Sequence, residues 1–203
     1  MNNHPPHFPE IGVIGLVPES WGGPWMPRHH VLTILANYFN VVWVSPATPW
    51  RDLFSSNSGF KRWQTDPERT CHPGFSLYKP KVWLPKFYGS HFLHDFTEQQ
   101  RIREVGNILQ KKGCKKIILY IWRPEYEEAL DLCRYDLSCY HIDDEYSFSD
   151  VEMQISEIEK RVIKRVDQVI IHSPALMEKK GIYNNKLIYI NPDFNPYILN
   201  SLI

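Results

Sequence analysis

The sequence predicts an α/β fold: a doubly wound, mostly parallel sheet of the Rossmann-like kind. Short runs that are apolar on both faces recur along the chain, as strands buried inside a parallel sheet do. Stretches with apolar residues at helical spacing separate these runs, and that alternation builds such a sheet. Glycine, proline and serine stand at many of the boundaries, where turns are expected.

The first half of the chain predicts a β-loop-α-β unit and an edge strand. Residues 11–17 (IGVIGLV) and 40–45 (NVVWVS) read as buried strands, and residues 28–39 between them carry a one-sided apolar face. The unit lacks Gly-x-Gly-x-x-Gly, so the dinucleotide-binding fingerprint is absent. Proline interrupts the β-forming residues at 75–80, which predicts a strand at the sheet edge.

The second half repeats the alternation. A capping box at residues 97–100 predicts a helix start, and Gly113 suits the end of that helix. Further strands are predicted at residues 116–122, up to 143, 168–171 and 186–190, and further helices at 125–133, from Ser149 and from Ser173. The helix from Ser149 should turn one stripe inward, with Glu157 and Arg161 as an exposed pair. The expected stripe is Val151, Ile155, Ile158, Val162 and Val166.

Length and composition limit the classes of protein. The 203 residues fit one domain, which we place at residues 1–190, with 191–203 as a linker or tail. The formal net charge of zero disfavours nucleic acid as a partner. The four cysteines have no C-x-x-C spacing, and no leader or long apolar run occurs. We therefore expect a cytoplasmic protein with reduced thiols.

An acidic loop is the first candidate site. Asp143, Asp144 and Glu145 follow an apolar strand and precede a Ser-x-x-Glu capping box at residues 149–152. Open parallel sheets bind ligands at the carboxyl ends of their strands, which favours a functional interpretation. Acidic residues also stabilise helix N-termini without any chemistry, and that alternative stays open.

Two further groups of residues are candidates for ligand contacts. Gly22 and Gly23, followed by Arg28 and His29, suit an acceptor or phosphate contact at a helix N-terminus, or else form a plain exposed loop. Aromatic rings can cover the apolar face of a sugar. Trp21, Trp25, Trp122 and Tyr126 are candidates for this role, whereas Trp43 and Trp83 suit core or edge packing.

Four segments resemble the N-terminal, acceptor-side half of a GT-B glycosyltransferase, of the type that builds bacterial cell-surface polysaccharides. They are WGGPWMPRHHVL, YIWRPEY, CYHIDDEYSF and the VDQVIIHSPAL segment. The resemblance covers about residues 11–190 and implies an enzyme with two Rossmann-like halves. The second half of such an enzyme holds the nucleotide-sugar donor, so no cofactor is implied for this domain. The chain reads NPDFNPYILNSLI at its end, and the donor half is expected in the same or another chain.

The resemblance implies a glycan or lipid-linked acceptor, and this half alone is expected to be inactive. Asp143 or Asp144 would bind or deprotonate an acceptor hydroxyl, with His141 as an alternative. The expected substrate-binding residues are Trp21, Gly22, Gly23, Arg28, His29, Trp122, Arg123, Tyr126 and Glu145. No metal is expected, and both inversion and retention stay open.

Two other functions remain open at this stage. The chain could be a non-catalytic sugar-binding module, or a Mg²⁺ or Mn²⁺ enzyme using the three carboxylates, although no second acidic cluster completes a metal site. Lysines and aromatic residues at 79–88 suit contact with the inner face of a membrane, or else form a proline-interrupted surface loop. Because parallel strands share one carboxyl edge, we expect five loop residues to line one concave surface. They are Gly22, Gly23, Arg123, Asp143 and Asp144.

Overall fold

The computed structural model describes residues 4–22, 24–53, 72–88, 91–143 and 155–189. These residues form one seven-stranded sheet in which every strand pair is parallel. The strands are β1 (Ile11–Leu16), β2 (Asn40–Val44), β3 (Phe75–Tyr78), β4 (Lys116–Ile121), β5 (Leu137–Ile142), β6 (Gln168–Ile171) and β7 (Leu187–Tyr189). Their order is β3-β2-β1-β4-β5-β6-β7. The predicted fold class is confirmed, and β3 lies at an edge as expected.

Helices cover both faces of the sheet. The described helices are α1 (Pro27–Leu35), α2 (His91–Lys111), α3 (Ala129–Leu132), α4 (Glu157–Arg165) and α5 (Pro174–Lys180). Leu32 and Ala36, at the C-terminal end of α1, pack with Val13, Trp43 and Tyr120 on one face. The opposite core combines strand residues such as Ile14 and Leu119 with α2 to α5. In the central strands the odd and even positions thus contribute to two separate cores, which explains why strands such as β1 and β2 are apolar on both faces.

Helix α2 begins earlier than predicted. Thr97 was the predicted N-terminal cap, but it lies inside the helix and is buried. Its hydroxyl donates to the carbonyl oxygens of Leu93 and His94, both at 3.0 Å, so it bonds backward within the helix. The helix ends as predicted, because Gly113 adopts φ +84° just beyond it.

The helix predicted over residues 125–133 is divided. A 3-10 turn at Pro124–Tyr126 is followed by the short α3. Helix α4 also differs from expectation, since Ser156 caps it by accepting from the Glu159 N–H at 3.2 Å. The predicted capping box at residues 149–152 lies outside the described residues.

The inward face of α4 is partly polar. Ile158 is exposed, contrary to the predicted stripe, whereas Val162 and Val166 are buried as expected. Glu159 is buried instead because its carboxylate accepts from Lys180 Nζ at 2.9 Å and from the Tyr140 hydroxyl at 3.1 Å. This network lies between β5, α4 and α5.

The predicted Glu157–Arg161 pair does not form. Glu157 pairs with Lys160 at 2.6 Å, while Arg161 contacts Glu127 at 2.8 Å. Arg161 therefore joins α4 to the turn before α3.

The turn before β3 packs closely against the backbone at the end of α1. A Cβ placed on Gly74 would lie 2.4 Å from the Ala36 carbonyl oxygen and 2.9 Å from that of Phe39. Both obstacles are backbone atoms at the end of α1, so a side chain there has no room. Gly74 thereby sets how closely β3 approaches the β1-α1-β2 unit.

Candidate functional site

The candidate site lies at the carboxyl edge of the sheet, at the point where the strand order reverses. Strand β1 pairs with β2 on one side and with β4 on the other, so the chain leaves β1 and β4 in opposite directions. The crevice at such a switch point is the usual ligand site of an open α/β sheet. The loop after β1, the N-terminus of α1 and the ends of β4 and β5 all meet here.

Arg28 is the centre of the site. Its Nη1 donates to Asp143 Oδ2 at 2.6 Å, and its Nη2 contacts Glu19 Oε1. The Arg28 and Asp143 side chains are each 5% exposed, whereas Glu19 is 28% exposed. The guanidinium carbon also lies 5.9 Å from the centroid of the Trp122 ring. One buried cation therefore connects the loop after β1 with the end of β5, beside the end of β4.

His141 packs beneath this ion pair. Its ring stacks on Trp122 with the centroids 4.0 Å apart, and its Nδ1 lies 2.9 Å from the Tyr120 hydroxyl. His172, after β6, approaches edge-on at 5.7 Å. Burial, followed by the charges of His172 and Arg28, lowers the pKa of His141 to about 3. His141 is therefore neutral near pH 7 and a weak base.

Two of the three tryptophans predicted to stack on a sugar, Trp21 and Trp122, are core residues, whereas Trp25 is half-buried and packs against the same core. Trp122 is fully buried and Trp21 is 2% exposed, so neither ring offers a face to a ligand in this structure. Side chains alternate between the two faces of β4, and Trp122 follows this alternation just beyond the strand. Its ring therefore packs in the same core as Tyr120. Trp21 contacts Trp43 edge-on at 5.1 Å. Trp43 is core, as predicted, whereas Trp83 is 72% exposed and does not pack at an edge.

His29 is also internal, contrary to the predicted surface contact. Its Nδ1 accepts the Met26 N–H at 3.0 Å, and it is fully buried against Trp43, with ring centroids 4.4 Å apart. Burial lowers the pKa of His29 below its usual value of 6.5. The imidazole thus caps the start of α1. Arg28 could contact a phosphate only if its guanidinium group first separated from Glu19 or Asp143.

Some of the remaining predicted residues lie at the edge of the site, and the others lie outside the described residues. Tyr126 donates its hydroxyl to the Val17 carbonyl oxygen at 2.6 Å, which ties the turn after β4 to the loop after β1. Arg123 is half-buried and Gly22 is exposed on these same two loops. Gly23, Asp144 and Glu145 lie outside the described residues. Of the five residues expected to line one concave surface, the three that are described, Gly22, Arg123 and Asp143, follow β1, β4 and β5 at the same edge of the sheet. Arg28, which contacts Asp143, was not among the five.

Glu19, Tyr120 and His172 were not predicted as part of the site. A carboxylate three residues beyond the end of β1 was the available signal for Glu19. Tyr120 is on β4, two positions before Trp122, and its side chain lies on the same face of the sheet. Strand alternation could therefore have indicated that Tyr120 belongs to the site. The ring contact of His172 with His141 depends on the pairing of β5 with β6, which spacing in the sequence does not show.

A second cavity lies on the other side of the β1 end and was also missed. Its volume is about 60 Å³, and Ser45, His94, Glu98 and Tyr126 are among its lining residues. His94 Nε2 lies 2.6 Å from a carboxylate oxygen of Glu128. The Ser45 hydroxyl is buried and has no hydrogen-bond partner among the described residues. The cavity has a mixed lining of apolar and polar side chains and has room for ordered water.

The chemistry available at the site is that of an anionic carboxylate held by a guanidinium. Such a carboxylate accepts charge-assisted hydrogen bonds from hydroxyl groups. In the described part of the chain, no three His, Cys, Asp or Glu side chains form a group that could hold a metal ion. Within the same residues, no helix has the length and apolar character needed to cross a membrane.

No protein-family model, curated protein or solved structure matches this chain. The functional interpretation therefore depends on the chemistry of the site and on the sequence motifs.

Proposed function

We propose that this chain is the acceptor-side half of a sugar-nucleotide-dependent glycosyltransferase. The observation that carries the proposal is the Arg28–Asp143 ion pair at the carboxyl edge, beside the switch point between β1 and β4. Asp143 belongs to the CYHIDDEYSF motif on which the resemblance to such enzymes depends. The switch-point crevice is where a substrate of a Rossmann-like half is expected to bind.

In this proposal Asp143 orients an acceptor hydroxyl. The side chain is 5% exposed, so the hydroxyl must displace a neighbouring group before it contacts the carboxylate. Arg28 can balance the charge during that exchange because it contacts Glu19 as well as Asp143. Acceptor binding would then shift the guanidinium between the two carboxylates rather than leave a buried charge unpaired.

His141 takes a positioning role in this proposal. With a pKa of about 3 it cannot act as a strong general base near pH 7. Its stacking on Trp122 and its contact with Tyr120 fix the floor of the site directly before Asp143. The donor sugar nucleotide and its binding half would be supplied by further sequence or by another chain.

A non-catalytic sugar-binding module is the second candidate. The low pKa of His141 favours it, because binding needs a carboxylate that orients hydroxyls but no base. In both candidate functions a glycan of the acceptor type binds at Asp143. The two functions differ only in whether a sugar is then transferred to that glycan.

A glycan array tests the shared claim. The purified protein is applied to immobilised bacterial oligosaccharides and lipid-linked saccharides, together with Asp143→Asn and the control Asp131→Asn. Asp131 also pairs with an arginine, Arg165, but on the exposed surface, at 2.5 Å. We expect the wild type and Asp131→Asn to retain the same glycans and Asp143→Asn to lose them. Equal retention by all three proteins, or retention by none, contradicts the proposal.

A further inference from the structure

An exposed aromatic surface borders the first half of α2. Trp83 is 72% exposed, Tyr88 53%, Phe92 78% and Phe96 50%. Single apolar residues on a surface need no explanation, but several large rings within one short segment indicate a surface that binds something. We refer to these four residues, together with Lys79 and Lys81, as the aromatic–lysine surface.

The fold holds this surface in place. Arg101, which is buried, donates from Nη1 to the Leu84 and Pro85 carbonyl oxygens at 2.7 and 3.0 Å. The loop that carries Trp83 is thereby fixed to the middle of α2. Phe92 and Phe96 are four residues apart and lie on one side of the helix, while the neighbouring Thr97 points into the protein. The rings are therefore displayed by a fixed scaffold.

Lysines lie beside two of the four exposed rings. Lys81 Nζ lies 5.3 Å from the Trp83 ring centroid, and Lys86 Nζ lies 5.6 Å from that of Tyr88. Lys79 is exposed on the same segment. Two acids are close as well: Glu104 pairs with Lys81 at 2.5 Å, and Asp95 is exposed on α2. The chain as a whole has no net charge, so this run of lysines is a local excess.

This combination distinguishes between kinds of partner. The centre of a protein–protein interface is depleted in lysine, so lysines beside Trp83 and Tyr88 do not suit a protein partner. At a bilayer surface, tryptophan and tyrosine lie among the headgroups, phenylalanine reaches the acyl boundary and lysine contacts anionic lipid. We propose that the aromatic–lysine surface binds the headgroup layer of an anionic phospholipid bilayer.

The surface is at the same edge as the candidate site. Its loop follows the carboxyl end of β3, and Lys86 pairs with the segment after β2, where its N–H donates to the Thr48 carbonyl oxygen at 2.9 Å. Binding would bring that edge of the sheet near the membrane. The inference depends only on exposed residues and stands apart from the proposed transferase function.

Vesicle cosedimentation tests the inference. The protein is mixed with vesicles of phosphatidylcholine alone, or of phosphatidylcholine with phosphatidylglycerol, at low and high salt. We expect binding to the mixed vesicles that is at least about tenfold stronger than to the neutral ones, and that weakens with salt. No binding to either kind of vesicle, or equal binding to both, overturns the proposal.

Variants locate the contact. Phe92→Ser/Phe96→Ser should lower vesicle binding by about tenfold or more, because two rings no longer reach the apolar boundary. Ile182→Ser is the matched control, since Ile182 is 77% exposed but lies in the turn between α5 and β7. Its binding should equal that of the wild type. Thermal melts followed by circular dichroism establish that each variant is folded.

A loss in Ile182→Ser as large as that in the double variant contradicts the assignment of the surface. Sedimentation equilibrium without lipid provides a further arm. If the protein binds no vesicles but self-associates through Phe92 and Phe96, the occupant is a second copy of the chain, and the membrane proposal is wrong.

Discussion

Arg28 Nη1 and Asp143 Oδ2 lie 2.6 Å apart, although 115 positions separate the two residues in the sequence. Each side chain is 5% exposed, so the pair is a buried ion pair. It joins the first turn of α1 to the end of β5 across the end of β4. Energetic and functional consequences follow from this burial, because an unpaired charge at the same place would be costly.

Replacing Arg28 by Met should lower the free energy of unfolding by about 3–5 kcal/mol, because it leaves the buried Asp143 carboxylate uncompensated. Urea denaturation measures the change. The control is Arg165→Met, which breaks the exposed pairs with Asp131 and Glu127 and should cost under about 1 kcal/mol. Similar losses in the two variants would show that Asp143 is not buried with Arg28. Asp143→Asn should cost less than Arg28→Met, since Arg28 keeps Glu19.

A second prediction concerns pH. The pKa of His141 is about 3 in the folded protein and 6.5 in an unfolded chain, so the unfolded state binds more protons between these values. Its contribution to stability is therefore fully present above about pH 6.5 and is lost as the pH falls toward 3. The slope approaches about 1.4 kcal/mol for each pH unit.

The measurement is the free energy of unfolding of the wild type and of His141→Gln, from about pH 7 down to about pH 5, where His141 dominates the difference. The wild type should lose stability more steeply than the variant as the pH falls. Parallel curves would mean that His141 is exposed to solvent and titrates normally.

The Glu159–Lys180 pair should behave as a unit. Lys180 is fully buried and Glu159 is 5% exposed, so Glu159→Leu strands a buried ammonium group at a cost of about 3–5 kcal/mol. The double variant Glu159→Leu/Lys180→Met removes both charges and should recover most of that loss. Thermal or urea unfolding of the two single variants and the double variant gives the coupling energy. Additive losses would exclude the buried pair.

Substituting Gly74 tests the packing of β3 against α1. Gly74→Ala places a methyl group against two backbone carbonyl oxygens and should cost about 1–3 kcal/mol or more. Gly106→Ala is the control. Gly106 lies inside α2, and a Cβ placed there would meet no described atom within 4 Å. This substitution should raise stability by about 0.5–1 kcal/mol. If Gly74→Ala is also neutral or stabilising, the turn is more open than the structure shows.

The sequence predicted the sheet well because its central strands, such as β1, β2 and β6, carry continuous apolar runs that are buried on both faces. Residues 168–171 match β6, and α5 begins directly after its predicted serine, Ser173. The start of α2 was misplaced because Thr97 fits a capping box, whereas the helix continues through exposed rings such as Phe92 that give no inward stripe. Local pattern cannot decide between a cap and an internal threonine.

The sequence predicted where the candidate site lies in the fold but not which of its residues contact one another. The motif that contains Asp143 was identified because it follows a strand, and the carboxyl edge was inferred from topology. Sequence spacing cannot pair Arg28 with Asp143, and residue type alone suggested an exposed role for Trp122. The alternation of β4 does assign the Trp122 ring to the core, so that part could have been predicted.

A nuclear magnetic resonance titration of the protein with a glycan that the array selects tests whether the ligand binds at Asp143 on the carboxyl edge of the sheet. We expect the amide signals of Gly22, Arg123 and Asp143 to shift together. Asp143→Asn should raise the dissociation constant by about tenfold or more, as expected for a lost hydrogen bond to a charged group. Asp131→Asn should leave the dissociation constant unchanged. Shifts confined to residues away from the carboxyl edge, or equal affinity in Asp143→Asn, would contradict binding at Asp143.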